Sequence, residues 1–184
     1  PGMNPYKLLR YTPIWLLNLL AYVTSFMISF RPNHGTLRTI AINLYLVYPH
    51  LSCTDIRQLA RKSLTKQLLN MVISLKSWAM PPAWSIKQIK QVHNQQILLD
   101  ALANPNGMLA IVPHLGAWEI MNPWLNQFGS PTILYKPVKG KLSNEFALAG
   151  RQRLNATLVP TDGSGIKALL KTLKTGGFSI ILPD

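Results

Sequence analysis

Residues 108–119 read Met-Leu-Ala-Ile-Val-Pro-His-Leu-Gly-Ala-Trp-Glu, which sets His114 five positions before Glu119. A carboxylate that holds an imidazole through Nδ1–H fixes its tautomer and stabilises the imidazolium, leaving Nε2 to take a proton from a hydroxyl. Five residues is about 500° of helix, so side chains at that spacing point about 140° apart on a regular helix and do not meet. They can meet if His114 sits in a turn and Glu119 on the first turn of the helix that follows. The sequence favours that arrangement. Met108 to Val112 is a short uncharged apolar run suited to a buried strand, and Pro113 and Gly116 then break it. Pro113 also holds Val112 extended and lacks the N–H that another ladder bond needs.

No protein nucleophile accompanies the pair. Neither Gly-x-Ser-x-Gly nor a motif around Cys53 is present, so the proton comes from a substrate alcohol and the transferred group goes directly onto that alcohol. His-x4-Glu does not have the spacing of His-Glu-x-x-His, and His34, His50 and His93 lie in other contexts, so no metal is expected. Taken alone, the pair also allows a histidine that satisfies a turn and a glutamate that caps a helix.

The elements that must position these residues follow a change of rhythm at Asn104-Pro105-Asn106-Gly107, a turn signal. Four short strands are predicted at Met108–Val112, Thr132–Tyr135, Thr157–Val159 and Phe178–Leu182. Helices are predicted over Trp118–Phe128, Leu142–Leu154 and Ile166–Lys174, the last closed by Gly176-Gly177. Strands alternating with helices imply crossover units and a mostly parallel sheet, hence an α/β fold. Ligands of such sheets bind beyond the carboxyl ends of the strands. Those ends bring His114 with Glu119, then Lys136, then Pro160-Thr161-Asp162-Gly163, then Pro183-Asp184, while Arg151 and Arg153 close the helix before the third strand.

Upstream the pattern is helical: Leu37–Tyr48, a longer helix from Ser52 or Thr54 to about Trp78, and a third from Ile86 to Ala103 after Pro81-Pro82. The long helix carries Arg57, Arg61, Lys62 and Lys66 on one face, and Ile56, Leu59, Ala60, Leu64, Leu68, Met71 and Val72 on another. The charged face is either solvated or held against anionic headgroups. Ile14 to Phe30 carries no charge. This stretch is near the short limit for a bilayer core of about 30 Å and is expected to be a retained membrane anchor, with Arg10 and Arg31 snorkelling. A buried or interfacial helix is the alternative. The organisation expected is an anchor over 1–35, a helical region over 36–107 and the first part of an α/β domain over 108–184, with its C-terminal remainder beyond Asp184.

Composition agrees with a lipid surface. The 184 residues carry a formal charge of +13, from 19 Lys and Arg against 6 Asp and Glu, which calls for an anionic partner. With 48% hydrophobic residues and no nucleic-acid motif, the chain is not a basic nucleic-acid tail. The single cysteine, Cys53, excludes an intramolecular disulfide and is expected to be a small buried or half-buried side chain.

Pro-His-Leu-Gly-Ala-Trp-Glu at 113–119 resembles the His-x4-Asp/Glu signature of glycerolipid-type acyltransferases, and within them the lipid A late acyltransferase family of Gram-negative bacteria, the lauroyl and myristoyl transferases. The likeness includes the N-terminal apolar helix, Tyr135-Lys136-Pro137, Gly150-Arg151 with Arg153, the helix Gly165 to Lys174 followed by Gly176-Gly177, and the closing Leu182-Pro183-Asp184. The resemblance implies transfer of a fatty acyl group from acyl carrier protein or acyl-CoA to a hydroxyl of a lipid A precursor, at the cytoplasmic face of the bacterial inner membrane, with no further cofactor. It implies His114 as general base with Glu119 its partner, and Arg151 and Asp184 as residues tied to activity. Lys136 stands where the family commonly has Arg, and Pro113 where it often has Asn. The other readings are acyl transfer to a different lysolipid or glycolipid, and a basic lipid-binding membrane protein without chemistry of its own.

Overall fold

In the computed structural model, residues 5–31 and 34–183 are described. They divide into a helical unit, Tyr11–Ile73, and a second unit built from Ser74 onward together with the described N-terminal residues through Arg10.

The helical unit holds α1 (Ile14–Ser29), α2 (Gly35–Val47) and most of α3 (Cys53–Ala79). Leu37 and Ile40 of α2 pack on Ala60 and Leu64 of α3, with Ile28, Ala41, Leu44 and Leu68 around them. α1 buries Ala21 and Ser25, and the Ser25 hydroxyl meets Thr65 Oγ1 at 2.7 Å. Ser52 caps α3: its Oγ accepts from the Asp55 N–H at 3.2 Å and donates to Asp55 Oδ2 at 2.6 Å. Three expectations change in this unit. No helix among the described residues is long and apolar enough to cross a membrane. At 16 residues α1 is about 24 Å long against a bilayer core of about 30 Å, so the expected spanning anchor is not supported. Cys53 is exposed, because it stands at the first turn of α3 before the buried stripe begins. Met71, assigned to the core stripe, is also exposed, while Ile56, Ala60, Leu64 and Val72 are buried as that stripe requires.

The second unit is α/β. After the last turns of α3 come α4 (Pro82–Gln88) and α5 (Gln95–Leu102) in place of the single helix expected over Ile86–Ala103. The break ends at Asn94, whose φ of 56° is left-handed and cannot continue a helix. Then follow β1 (Met108–Ile111), α6 (Met121–Leu125), β2 (Thr132–Tyr135), α7 (Lys141–Gln152), β3 (Thr157–Pro160), α8 (Gly163–Lys174) and β4 (Phe178–Ile181). The helix expected over Trp118–Phe128 is a short α6 flanked by 3-10 turns at Trp118–Ile120 and Asn126–Phe128. Pro123 has no N–H to donate to Glu119 O, so the α-helix cannot extend back through Trp118–Ile120.

All strand pairs are parallel, in the order β1-β4-β2-β3. β4 is one of the two inner strands and its Phe178, Ser179 and Ile180 are all buried, as expected of a strand covered on both faces. Met108, Val112, Leu125, Ile133, Phe178 and Ile180 form the core. Parallel register brings Ile111, Ile181, Tyr135 and Pro160 to one edge, where the candidate residues follow.

α8 is fixed at both ends. Gly177 N–H donates to Thr172 O at 2.9 Å and Gly176 N–H to Leu173 O at 3.0 Å, the Schellman pair that closes a helix on a left-handed glycine, here with φ of 75° at Gly176. At its start the Asp162 carboxylate accepts from Ser164 Oγ at 2.6 Å and from the N–H groups of Ser164 and Gly165. These bonds, the Ser164 hydroxyl first, hold the carboxyl below its ordinary value of 3.8. Stability from a lowered carboxyl is complete above its unfolded pKa and is lost as pH falls through the folded one. Asp162→Ala is therefore expected to lower Tm at neutral pH, with the gap to wild type closing in melts taken progressively below pH 3.8. A Cβ on Gly165 would lie 1.8 Å from Pro160 O, so Gly165→Ala forces α8 off the end of β3. A loss of about 1–3 kcal/mol or more is expected in urea unfolding.

Candidate active site

The ladder of β1 ends one residue past the strand, where Val112 N–H donates to Ile181 O at 2.9 Å; Pro113 has no N–H to extend it. The chain turns there, with Leu115 N–H 2.7 Å from Pro113 O and Gly116 at φ 63°, a left-handed conformation that favours glycine. His114 is exposed on this turn. Its Nδ1 lies 3.4 Å from Pro183 O, which follows the neighbouring strand β4, and its ring stands edge-on to Trp118 with centroids 5.4 Å apart.

Glu119 sits on the next turn, as the spacing requires, but is only 3% exposed. Its oxygens are shared among three donors. Arg151 Nη2 forms an ion pair with Oε1, while Trp78 Nε1 and Asn122 Nδ2 donate to Oε2 at 2.9 and 3.3 Å. His114 is not among these partners. The two residues occupy successive turns at the same strand end, yet the bond that orients the imidazole is not made by this carboxylate.

Arg151 is held by more than charge. Its guanidinium carbon lies 5.6 Å from the Trp78 and Trp118 ring centroids and 5.3 Å from that of Tyr135, so three electron-rich rings surround a cation already paired with a carboxylate. Gly150 explains how α7 comes so close, since a Cβ there would lie 2.6 Å from Trp78 Cβ. The Tyr135 hydroxyl donates to Asn144 Oδ1 at 2.5 Å, and Val138 N–H to the same oxygen at 2.9 Å, tying the β2 end to α7. Trp118 thus has the His114 ring and the Arg151 guanidinium both against it.

The remaining candidates spread around this centre. Lys136 is exposed just beyond β2. Arg153 donates from Nη2 to Trp78 O, and burial, with the like charge of Arg10 behind it, lowers its pKa from the ordinary arginine value. Asp184 lies outside the described residues. Pro160 to Gly163 form the α8 cap described above rather than reaching His114. Among the described residues no group of three or more His, Cys, Asp or Glu is placed to hold a metal. The cleft lined by Trp118, Tyr135, Arg151 and Leu182 measures only about 30 Å³, roughly the volume of one water.

Three partners were not anticipated. Trp78 and Asn122 lacked any motif, although Asn122, three residues after Glu119, falls on the same helical face. The third is Lys76, 4% exposed, whose Nζ donates to Leu9 O at 2.6 Å and Arg10 O at 3.0 Å. Burial lowers its pKa. A signal existed: the four-residue series Ala60, Leu64, Leu68, Val72 continues to Lys76.

A protein-family model for bacterial lipid A biosynthesis acyltransferases matches residues 4–184. The chain belongs to that family. No curated protein sequence matches it. Family membership makes this an acyltransferase of lipid A biosynthesis, and the resemblance read from residues 113–119 and the elements after them is the correct one.

The acyltransferase has a buried ion pair behind its His114 turn, and such a pair is costly to break on one side. Arg151→Met leaves Glu119 charged and buried, so a loss of about 3–5 kcal/mol is expected in chemical denaturation. In the double variant with Glu119→Gln the loss should be smaller than the two single losses summed. Strict additivity would show that the pair does not couple.

Proposed function

We propose that this acyltransferase moves a fatty acyl group from acyl carrier protein or acyl-CoA onto a hydroxyl of a lipid A precursor, with His114 as general base. The observation that carries this reading is the exposed imidazole directly beyond β1, at the carboxyl edge of a parallel sheet, in a chain of this family. With its proton on Nδ1 facing Pro183 O, the ring is the tautomer in which Nε2 is the basic nitrogen. As the acceptor oxygen attacks the thioester carbonyl, its proton passes to Nε2. The tetrahedral intermediate then expels the thiolate, which takes the proton back, and ester and free thiol leave.

Glu119 acts on this centre as a positioning residue. Anchored to Arg151, Trp78 and Asn122, it fixes the turn that carries Trp118 and, through that ring, the imidazole. Arg151 is committed to the same anchor, which leaves Lys136 and Arg153 as the exposed cations for the acceptor's phosphates. Asp184 remains a candidate substrate-site residue on the family likeness alone. Donors that are soluble thioesters place the reaction at the cytoplasmic face of the inner membrane.

His114→Ala is expected to lower kcat by at least about 10²-fold with little change in KM, measured with acyl carrier protein and CoA thioesters in parallel. Unchanged turnover rules out the base. The acceptor is tested by mass spectrometry of lipid A from a deletion strain with and without complementation. Restored acylation of lipid A supports the precursor, whereas restoration of a different lysolipid or glycolipid ester moves the acceptor there.

A further inference from the structure

The helical unit carries a groove of about 350 Å³ that has no part in the His114 site. Its floor comes from Ala41, Ile42, Tyr45 and Leu46 of α2 and from Ile56 and Ala60 of α3. Three side chains rim it, Arg38, Arg57 and Arg61, and none has an ion-pair partner among the described residues. Asp55, the one acidic residue between Tyr11 and Ile73, is engaged by the Ser52 hydroxyl. Arg61 donates from Nη2 to Ser29 O at 3.5 Å, so the three guanidinium groups keep their charge unneutralised above apolar walls, which suits a ligand with a hydrocarbon tail and a phosphate head. Ser29, at the end of α1, lines the groove and also borders a surface formed by Tyr22, Val23 and Phe26, so the groove continues into an exposed apolar face. Phe26 and Phe30 on that helix are 64% and 70% exposed. A soluble acidic partner would match the arginines but not this uncharged aromatic margin; a lipid surface matches both.

We infer that this groove binds an anionic phospholipid of the membrane surface, its acyl chain lying on α2 and its phosphate held by Arg38, Arg57 and Arg61. The binding is independent of the reaction at His114, so it is read without turnover. Cys53 provides the probe, being the single cysteine, exposed and on the groove wall. The full chain, labelled there with a fluorophore, is mixed with vesicles of phosphatidylcholine alone or with added phosphatidylglycerol, in which the acyl chains carry bromine. Quenching is expected only with phosphatidylglycerol present. Each arginine-to-alanine change should weaken the partitioning about fivefold. Ala41→Trp, which fills the groove floor, should keep the protein on anionic vesicles and lose the quenching. Equal binding to both vesicle types, or quenching undiminished by Ala41→Trp, overturns the proposal. So does protection of unlabelled Cys53 from a thiol reagent by acyl carrier protein in the absence of vesicles, which assigns the groove to an acidic protein.

Discussion

A carboxylate removed from water loses several kcal/mol of hydration unless its lone pairs are met by donors, and the Glu119 carboxylate is almost wholly buried. Its three donors come from places far apart in the chain: Trp78 at the end of α3, Asn122 on α6 and Arg151 on α7. Each must be in place for the charge to be tolerated, so the carboxylate couples elements that share no direct sequence neighbourhood. The ion pair contributes little net stability by its own Coulomb energy. What it supplies is a specific arrangement, because displaced versions of these elements leave a charge stranded.

The same constraint explains the contrast between the two residues of the signature. Glu119 is fixed from three sides, while His114 projects from its turn with its ring edge-on to Trp118 and its Nδ1 facing a carbonyl across the strand pair. The signature thus combines a rigidly held carboxylate with an exposed imidazole. The aromatic faces around Arg151 add a second effect: they exclude water from the side of the pair that faces the sheet edge, which strengthens the electrostatics there.

Much of the α/β unit could be read from the sequence because its signals are local. Short apolar runs, Pro113 as a ladder stop and Gly176 as a helix stop each act within a few residues. Misreadings came where a local pattern was compatible with two outcomes. Lys87 to Asn94 keeps a helical rhythm of charge and apolar residues, yet α4 stops at Gln88 with Ile89 extended, and Asn94 is left-handed immediately before α5. Ile14 to Ser29 is uncharged enough for a bilayer, but the helix has only 16 residues. For His114 and Glu119, residue types and spacing make a direct bond workable without revealing the carboxylate's other donors. Which donors meet a buried carboxylate depends on side chains such as Trp78, 41 residues away in sequence, and no spacing rule reaches that far.

The strand order carries a consequence for how the molecule is made. β1 pairs with β4 alone, and those two strands are separated by three helices and two other strands, whereas β2 and β3 are joined by a single crossover. A ribosome therefore releases β1 long before its partner exists, and loop closure over that separation is slow. Until β4 arrives, β1 has an unpaired apolar edge, and the carbonyl that faces His114 has not been synthesised. The His114 turn is thus among the last parts of the sheet to acquire its native surroundings, and the nascent chain depends on protection of that edge from other strands in the interval.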